Sequence, residues 1–270
     1  MNRRAIGALV MRDLRVVARS RLVLIPLITV PVILLVVLPG LAALAPSLFG
    51  PEELRELQGL LDKMPPALIA PFAGQSPEQQ LVLLILGYLF APLYLIVPVM
   101  VASVIAADSF AGERERRTLE ALLYTPTTDA ELVLGKMLAP WLAAVAVAWG
   151  GFAAYAVVAN VAAWPIMGRI FFPTALWWLL VLWVAPAVAA LGLGVTVLVS
   201  ARVQTFQEAY QLGGVVVLPL VLLIVGQATG VLFLSPEVVL ALGAGVWLLN
   251  AVLLRVAIRS FRRGEILARS

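Results

Sequence analysis

Six stretches without a single charged side chain divide this chain, at residues 22–51, 79–107, 137–168, 170–201, 209–236 and 238–254. A helix crossing the hydrocarbon core of a bilayer needs about 20 apolar residues at ~1.5 Å rise each. The first five stretches exceed that length. The sixth has 17 residues and reaches about Ile258 once Arg255 snorkels to the interface. Strands of a membrane barrel would be shorter and would alternate apolar with polar, and nothing here alternates. The expected fold class is therefore an all-α polytopic membrane protein with six transmembrane helices.

Composition agrees. Hydrophobic residues make up 63% and charged residues 13% of the 270, against about 25% charged in soluble domains. There is no cysteine and no histidine. Disulfides, thiolate nucleophiles, the commonest general base and the commonest zinc ligand are all missing, which disfavours a catalytic or metal centre. No catalytic residue, cofactor or metal site is expected in this chain. The formal charge of +4 does not point to nucleic acid, because the arginines sit at the ends of apolar stretches.

Six alternating spans with a cytoplasmic N-terminus place sixteen Lys and Arg residues inside and three (Arg55, Lys63 and Arg169) outside. This segregation follows the positive-inside rule and places both termini in the cytoplasm. The single transmembrane domain, 1–270, then divides into an interfacial helix at 2–21 and a first span at 22–48. An external loop at 50–79 leads to span two at 80–107, a cytoplasmic loop at 108–128 and span three at 129–161. Span four is expected at 173–200, span five at 209–233 with room for a re-entrant segment, span six at 237–258, and a cytoplasmic tail at 259–270. A cleaved leader ending near Ala43–Ala45 is the weaker reading of the N-terminus, since the apolar run from Leu22 is longer than a signal core.

Residues 2–21 read as an amphipathic helix lying on the membrane: Ile6, Val10, Leu14 and Val17 recur at helical spacing, with Arg12, Arg15 and Arg19 on another face to meet anionic lipid. In the first external loop, Leu54, Leu57, Leu61 and Met64 form an apolar face that Pro65-Pro66 ends. The loop after span two carries dense mixed charge at Glu113–Arg117, then Leu119, Leu122 and Leu123 on one helical face, then Pro126 as a stop. Thr128 and Glu131 have the form of a capping box opening span three. A charged loop that only solvates a membrane surface needs no leucines, whereas a helix that docks into a partner's groove does.

The run Glu113-Arg-Glu-Arg-Arg-Thr-Leu-Glu-Ala-Leu-Leu-Tyr-Thr-Pro126, continued by Glu131-Leu-Val-Leu-Gly-Lys136, resembles the ABC-2 type permeases, the membrane subunits of ATP-binding-cassette exporters. The resemblance is continuous over about 24 residues and falls in the loop where that family carries its pattern. It implies that 113–123 is a coupling helix seated in a cleft of a separate ATP-binding-cassette ATPase. Leu119, Leu122 and Leu123 would fill the cleft, and Glu113, Arg114, Glu115, Arg116, Arg117 and Glu120 would make the charged rim contacts. The N-terminal helix would be the family's connecting helix. The resemblance further implies a second permease copy or paralogue, surrounding membrane lipid, a prokaryotic cell membrane, and ATP with Mg in the partner. Gly135-Lys136 is not a phosphate loop, because Ala130 and Met137 stand where a Walker A motif needs glycine and Ser or Thr.

The implied function is a permease that couples ATP hydrolysis in a partner to export. The alternative is an ion-coupled secondary transporter, which this chain serves less well because none of the six stretches holds an ionisable relay residue. Polar residues that could line a pathway are Tyr88, Tyr94, Asn160, Gln211, Gln227, Thr229 and Asn250, although such groups in spans commonly bond to neighbouring helices.

Overall fold

The computed structural model describes residues 3–48, 50–116 and 129–260. Among these there are helices and turns but no strands. Six helices are long and apolar enough to cross a membrane: Val23–Ala42, Pro77–Glu115, Leu134–Ala162, Ala175–Ser200, Phe206–Ala228 and Pro236–Arg255, here called spans 1 to 6. Spans 2 and 4 form the buried centre of the bundle, and spans 1, 5 and 6 are mostly exposed. The exposed positions are apolar, among them Ile25, Val161, Leu222 and Leu248, as a lipid-facing surface requires. A further helix, Arg3–Val17, packs against the start of span 3. It buries Leu9, Asp13 and Val17, whereas Val10 and Leu14 of the expected stripe are only half-buried.

Whereas Pro98 and Pro140 lie in regular helix, three other prolines coincide with distortions of the spans. Three π-helical segments interrupt them, at Ile33–Val37, Leu83–Leu89 and Leu180–Val184. Each contains the residue four before a proline: Leu35 before Pro39, Tyr88 before Pro92, Leu182 before Pro186. A proline ring clashes with the carbonyl four residues back, and a widened turn at that carbonyl relieves the clash. The loosened turns leave carbonyls for side chains. Those of Leu86 and Gly87 accept from the Tyr155 hydroxyl at 2.6 Å and the Trp177 indole at 2.7 Å, and that of Val181 accepts from Trp149 at 3.1 Å. The Tyr155 and Trp177 rings stack, Phe172 meets both edge-on, and Tyr94 lies 5.5 Å from Trp177, so spans 2, 3 and 4 share one aromatic core.

Several boundaries differ from the pattern of charge. Span 2 begins at Pro77 because Ser76 and Gln79 form a reciprocal capping box, with Ser76 Oγ accepting from the Gln79 N–H and Gln79 Oε1 from the Ser76 N–H. At its other end the helix does not stop at Ala107. It continues through a fourth π segment, Asp108–Gly112, to Glu115. Span 5 runs from Phe206 to Ala228 and turns at Gly230, whose φ is +73°, directly into span 6. The Gln227–Gly230 break is thus the connection between two spans.

Candidate functional site

The charged residues that the sequence places between spans 2 and 3 lie at the end of the bundle that carries the Arg3–Val17 helix, and the structure turns several of them inward. Glu113 is buried. Its carboxylate pairs with the ammonium of Lys136, at the start of span 3, through Oε2, and with the Arg12 guanidinium at 2.8 Å through Oε1. Lys136, only 3% exposed, also donates to the Ser109 carbonyl at 2.8 Å and lies 5.4 Å from the centre of the Phe110 ring. Arg12 in turn bonds Asp13 at 2.7 Å. Two cations and two carboxylates therefore neutralise one another in a site where an unpaired charge would be very costly. One oxygen of Asp13, Oδ2, is buried with no bonding partner.

The Gly135-Lys136 pair has two structural uses here. Lys136 supplies the buried cation. Gly135 lets the N-terminal helix approach: a Cβ there would stand 3.1 Å from both Cβ and Cδ1 of Leu9. The end of the helix containing span 2 is thereby tied to span 3 and to the N-terminal helix at one point.

The next residues tie it elsewhere. Arg114 Nη1 donates to the Ser200 carbonyl at 2.9 Å and the Val203 carbonyl at 3.3 Å, at the turn between spans 4 and 5. Glu115 accepts the Phe206 N–H at 3.0 Å, at the first residue of span 5. Arg116 pairs with buried Asp108 at 3.0 Å. The first three of these charged residues thus bind the N-terminal helix, span 3 and the junction of spans 4 and 5, and Arg116 folds back on its own helix. Arg117, Leu119, Glu120, Leu122, Leu123 and the Thr128 cap lie outside the described residues.

The polar residues considered as pathway lining are scattered. Tyr94 is buried and donates to the Ala148 carbonyl at 3.2 Å, and Tyr88 is buried with its ring 5.5 Å from that of Phe72. Asn160 uses three of its four amide hydrogen bonds on the segment before span 4. Its Nδ2 donates to the Ala156 and Phe172 carbonyls, and its Oδ1 accepts from the Phe171 and Phe172 N–H groups. Asn250 donates to the Ala187 carbonyl at 2.8 Å and leaves Oδ1 unbonded; Gln227 is buried with Oε1 unbonded. Gln211 and Thr229 are exposed, the latter donating to Val225 of its own helix. An open apolar hollow of about 560 Å³ beside span 3, lined by Val157, Asn160, Val161, Trp164 and Ile170, faces outward from the bundle. No group of residues able to hold a metal ion occurs among the described residues.

The sequence pattern did not single out Asp13, Asp108, Ser109 or Lys136 as partners of this site. A signal existed for Asp13: it is the one acid in an otherwise basic N-terminal helix.

A bundle of six helices long and apolar enough to cross a membrane is a multi-pass membrane protein. The chain belongs to the ABC-2 family of transporter proteins, whose family model matches residues 8–254. It is thus the permease part of an ABC transporter, a class that works with an ATP-binding-cassette partner. No curated protein and no solved structure matches the chain significantly.

Proposed function

We propose that this permease is the membrane half of an exporter driven by a separate ATP-binding-cassette ATPase that seats on residues 113–123. Leu119, Leu122 and Leu123 enter the ATPase cleft, and Arg117 and Glu120 make rim contacts. ATP and Mg bind in the partner alone. Two copies, or this chain and a paralogue, enclose the pathway between them. The charged end of the bundle and both termini face the cytoplasm of a prokaryotic cell, where the basic residues of the N-terminal helix meet anionic lipid.

The observation that carries this reading is the way Glu113, Arg114, Glu115 and Arg116 are fastened. A segment pushed from outside can switch a bundle between two states only if it is rigidly joined to the parts that must move. Here the root of 113–123 is bonded to the N-terminal helix, span 3 and the turn before span 5. Glu113, the first residue of the motif, serves the joint itself, which leaves the contact with the ATPase to the residues that follow.

The test is Leu122→Arg in the permease reconstituted with its ATPase. The variant is expected to insert and fold normally and to lose stimulation of ATP hydrolysis. Full stimulation by that variant would overturn the seating at 113–123.

A further inference from the structure

Span 5 is built in two halves. Its first helical piece is Phe206–Gly213, followed by a 3-10 turn at Gly214–Val216 and a second piece at Val217–Ala228. The first half is fastened to the root of the charged segment. Glu115 accepts the Phe206 N–H, one of the helix's otherwise unbonded N–H groups, at 3.0 Å. Arg114 holds the two carbonyls just before it, those of Ser200 and Val203. Ala107 and Ala111 at the base of span 2 pack without exposure against Ala209, with Phe206 and Tyr210 closing over them. At the end of this half, Gly213 abuts Thr196 of span 4 so closely that a Cβ would come within 2.3 Å of its hydroxyl. The second half has no bond to the charged segment among the described residues and packs instead on span 2, with Leu220 and Gln227 buried. The turn that joins the halves starts at Gly214, whose Cβ position is open.

We infer that Arg114 and Glu115 are positioning residues for span 5: they carry a displacement of the 113–123 segment into Phe206–Gly213, which swings on the Gly214–Val216 turn while Val217–Ala228 stays in place. This rests on the ATPase-driven reading and adds a second output to it. One output acts at the base of span 3, through Glu113 and Lys136, at the opposite end of that span from Val157. The other reaches the inner half of span 5 through a carboxylate that caps its first turn and a guanidinium that grips the carbonyls before it.

Because the chain has no cysteine, spin labels can be placed without background. One reference label goes at Val157 on span 3, paired in separate proteins with a label at Gln211 or at Leu222, all three exposed. Distances are measured by pulsed electron resonance in the reconstituted permease–ATPase complex, nucleotide-free and trapped with ATP and vanadate. The expected result is a shift of about 2 Å or more in the 157–211 distance, with the 157–222 distance unchanged. Glu115→Ala should abolish the 211 shift. Glu115→Gln, whose amide oxygen still accepts the Phe206 N–H, should restore it, which a general loss of folding would not allow. Equal shifts at 211 and 222, or a full shift at 211 in Glu115→Ala, would overturn the inference and leave the ATPase-driven reading standing. A wild-type permease that neither binds the ATPase nor stimulates it would overturn both.

Discussion

Arg116 reaches back two helical turns to Asp108, its Nη1 lying 3.0 Å from Oδ1, with Gly112 between them. The reach depends on the missing side chain: a Cβ on Gly112 would meet Asp108 Oδ1 at 2.9 Å and Arg116 Nη1 at 3.2 Å. Alanine is the better helix former by about 1 kcal/mol, but Asp108 is only 3% exposed, and displacing a charged partner from a buried carboxylate costs more, about 1–3 kcal/mol. Gly112→Ala should therefore lower stability by roughly 1–2 kcal/mol, read as a lower midpoint of thermal unfolding in detergent. Adding Asp108→Asn should recover most of the loss, since a neutral amide needs no cation. An unchanged midpoint for Gly112→Ala would show that displacing Arg116 costs no more than the helix propensity alanine adds.

The Glu113–Lys136 pair makes a sharper case because both members are buried. Lys136→Met keeps the bulk and removes the charge that answers Glu113 Oε2. Breaking one side of a buried pair typically costs about 3–5 kcal/mol. Lys136→Met and Glu113→Gln should each be strongly destabilising, and the double variant should lose less than their sum by ~1–3 kcal/mol. Unfolding of the four proteins in the same micelle measures that coupling. Strict additivity would mean that the two groups do not interact.

The spans were legible because a bilayer sets their length, and a run without charge announces it. The ends of the helices were not, because a charge does not end a helix. Asp108 is carried inside on a π turn and answered by Arg116, so the helix runs past it. Glu113 looked like a surface residue because its neighbours are charged and its partner, Lys136, comes 23 positions later, at the start of another span. In the expected stripe of the N-terminal helix Val17 is buried but Val10 and Leu14 are only half-buried, and Leu9 and Asp13 turn inward instead, the acid being one that any apolar pattern counts as polar. Tyr94 and Asn160 bond to backbone carbonyls of neighbouring segments, and composition cannot tell that use from a wet pathway. The π turns could not have been placed from proline alone: Pro39, Pro92 and Pro186 each follow one, but Pro98 and Pro140 sit in regular helix and Asp108–Gly112 widens with no proline after it.

Leu9 and Gly135 test how the N-terminal helix is seated. With a Cβ only 3.1 Å from Leu9, Gly135→Ala needs a small shift of a flexible side chain. Gly135→Val adds two methyl groups to a closed contact, and overpacking of this kind costs about 1–3 kcal/mol. The expected result is that Gly135→Val frees the N-terminal helix, seen as faster proteolysis within residues 3–17, while Gly135→Ala changes little. Leu9→Ala in the valine background should return the protection. If the valine variant is cleaved at the wild-type rate, the two helices are not held at this point.

Asn160 separates a structural polar residue from one that meets cargo. Its amide makes four hydrogen bonds, three of them to Phe171 and Phe172 and one to Ala156 of its own helix, and Phe172 is thereby set into the aromatic core at 4.7 Å from the Trp177 ring. Asn160→Leu matches the size and strands two N–H groups and a carbonyl. At about 1–3 kcal/mol for each group left unsatisfied and dry, with water able to reach part of this segment, a loss of ~2–4 kcal/mol is expected. Asn160→Asp retains the acceptor for both N–H groups and loses the donor, so it should fall between leucine and the wild type. Thermal unfolding and protease cleavage at residues 168–174 both read that order. A pathway residue would behave otherwise: its substitution would alter transport while the midpoint and the cleavage pattern stayed as they were, and that outcome would return Asn160 to the cargo route.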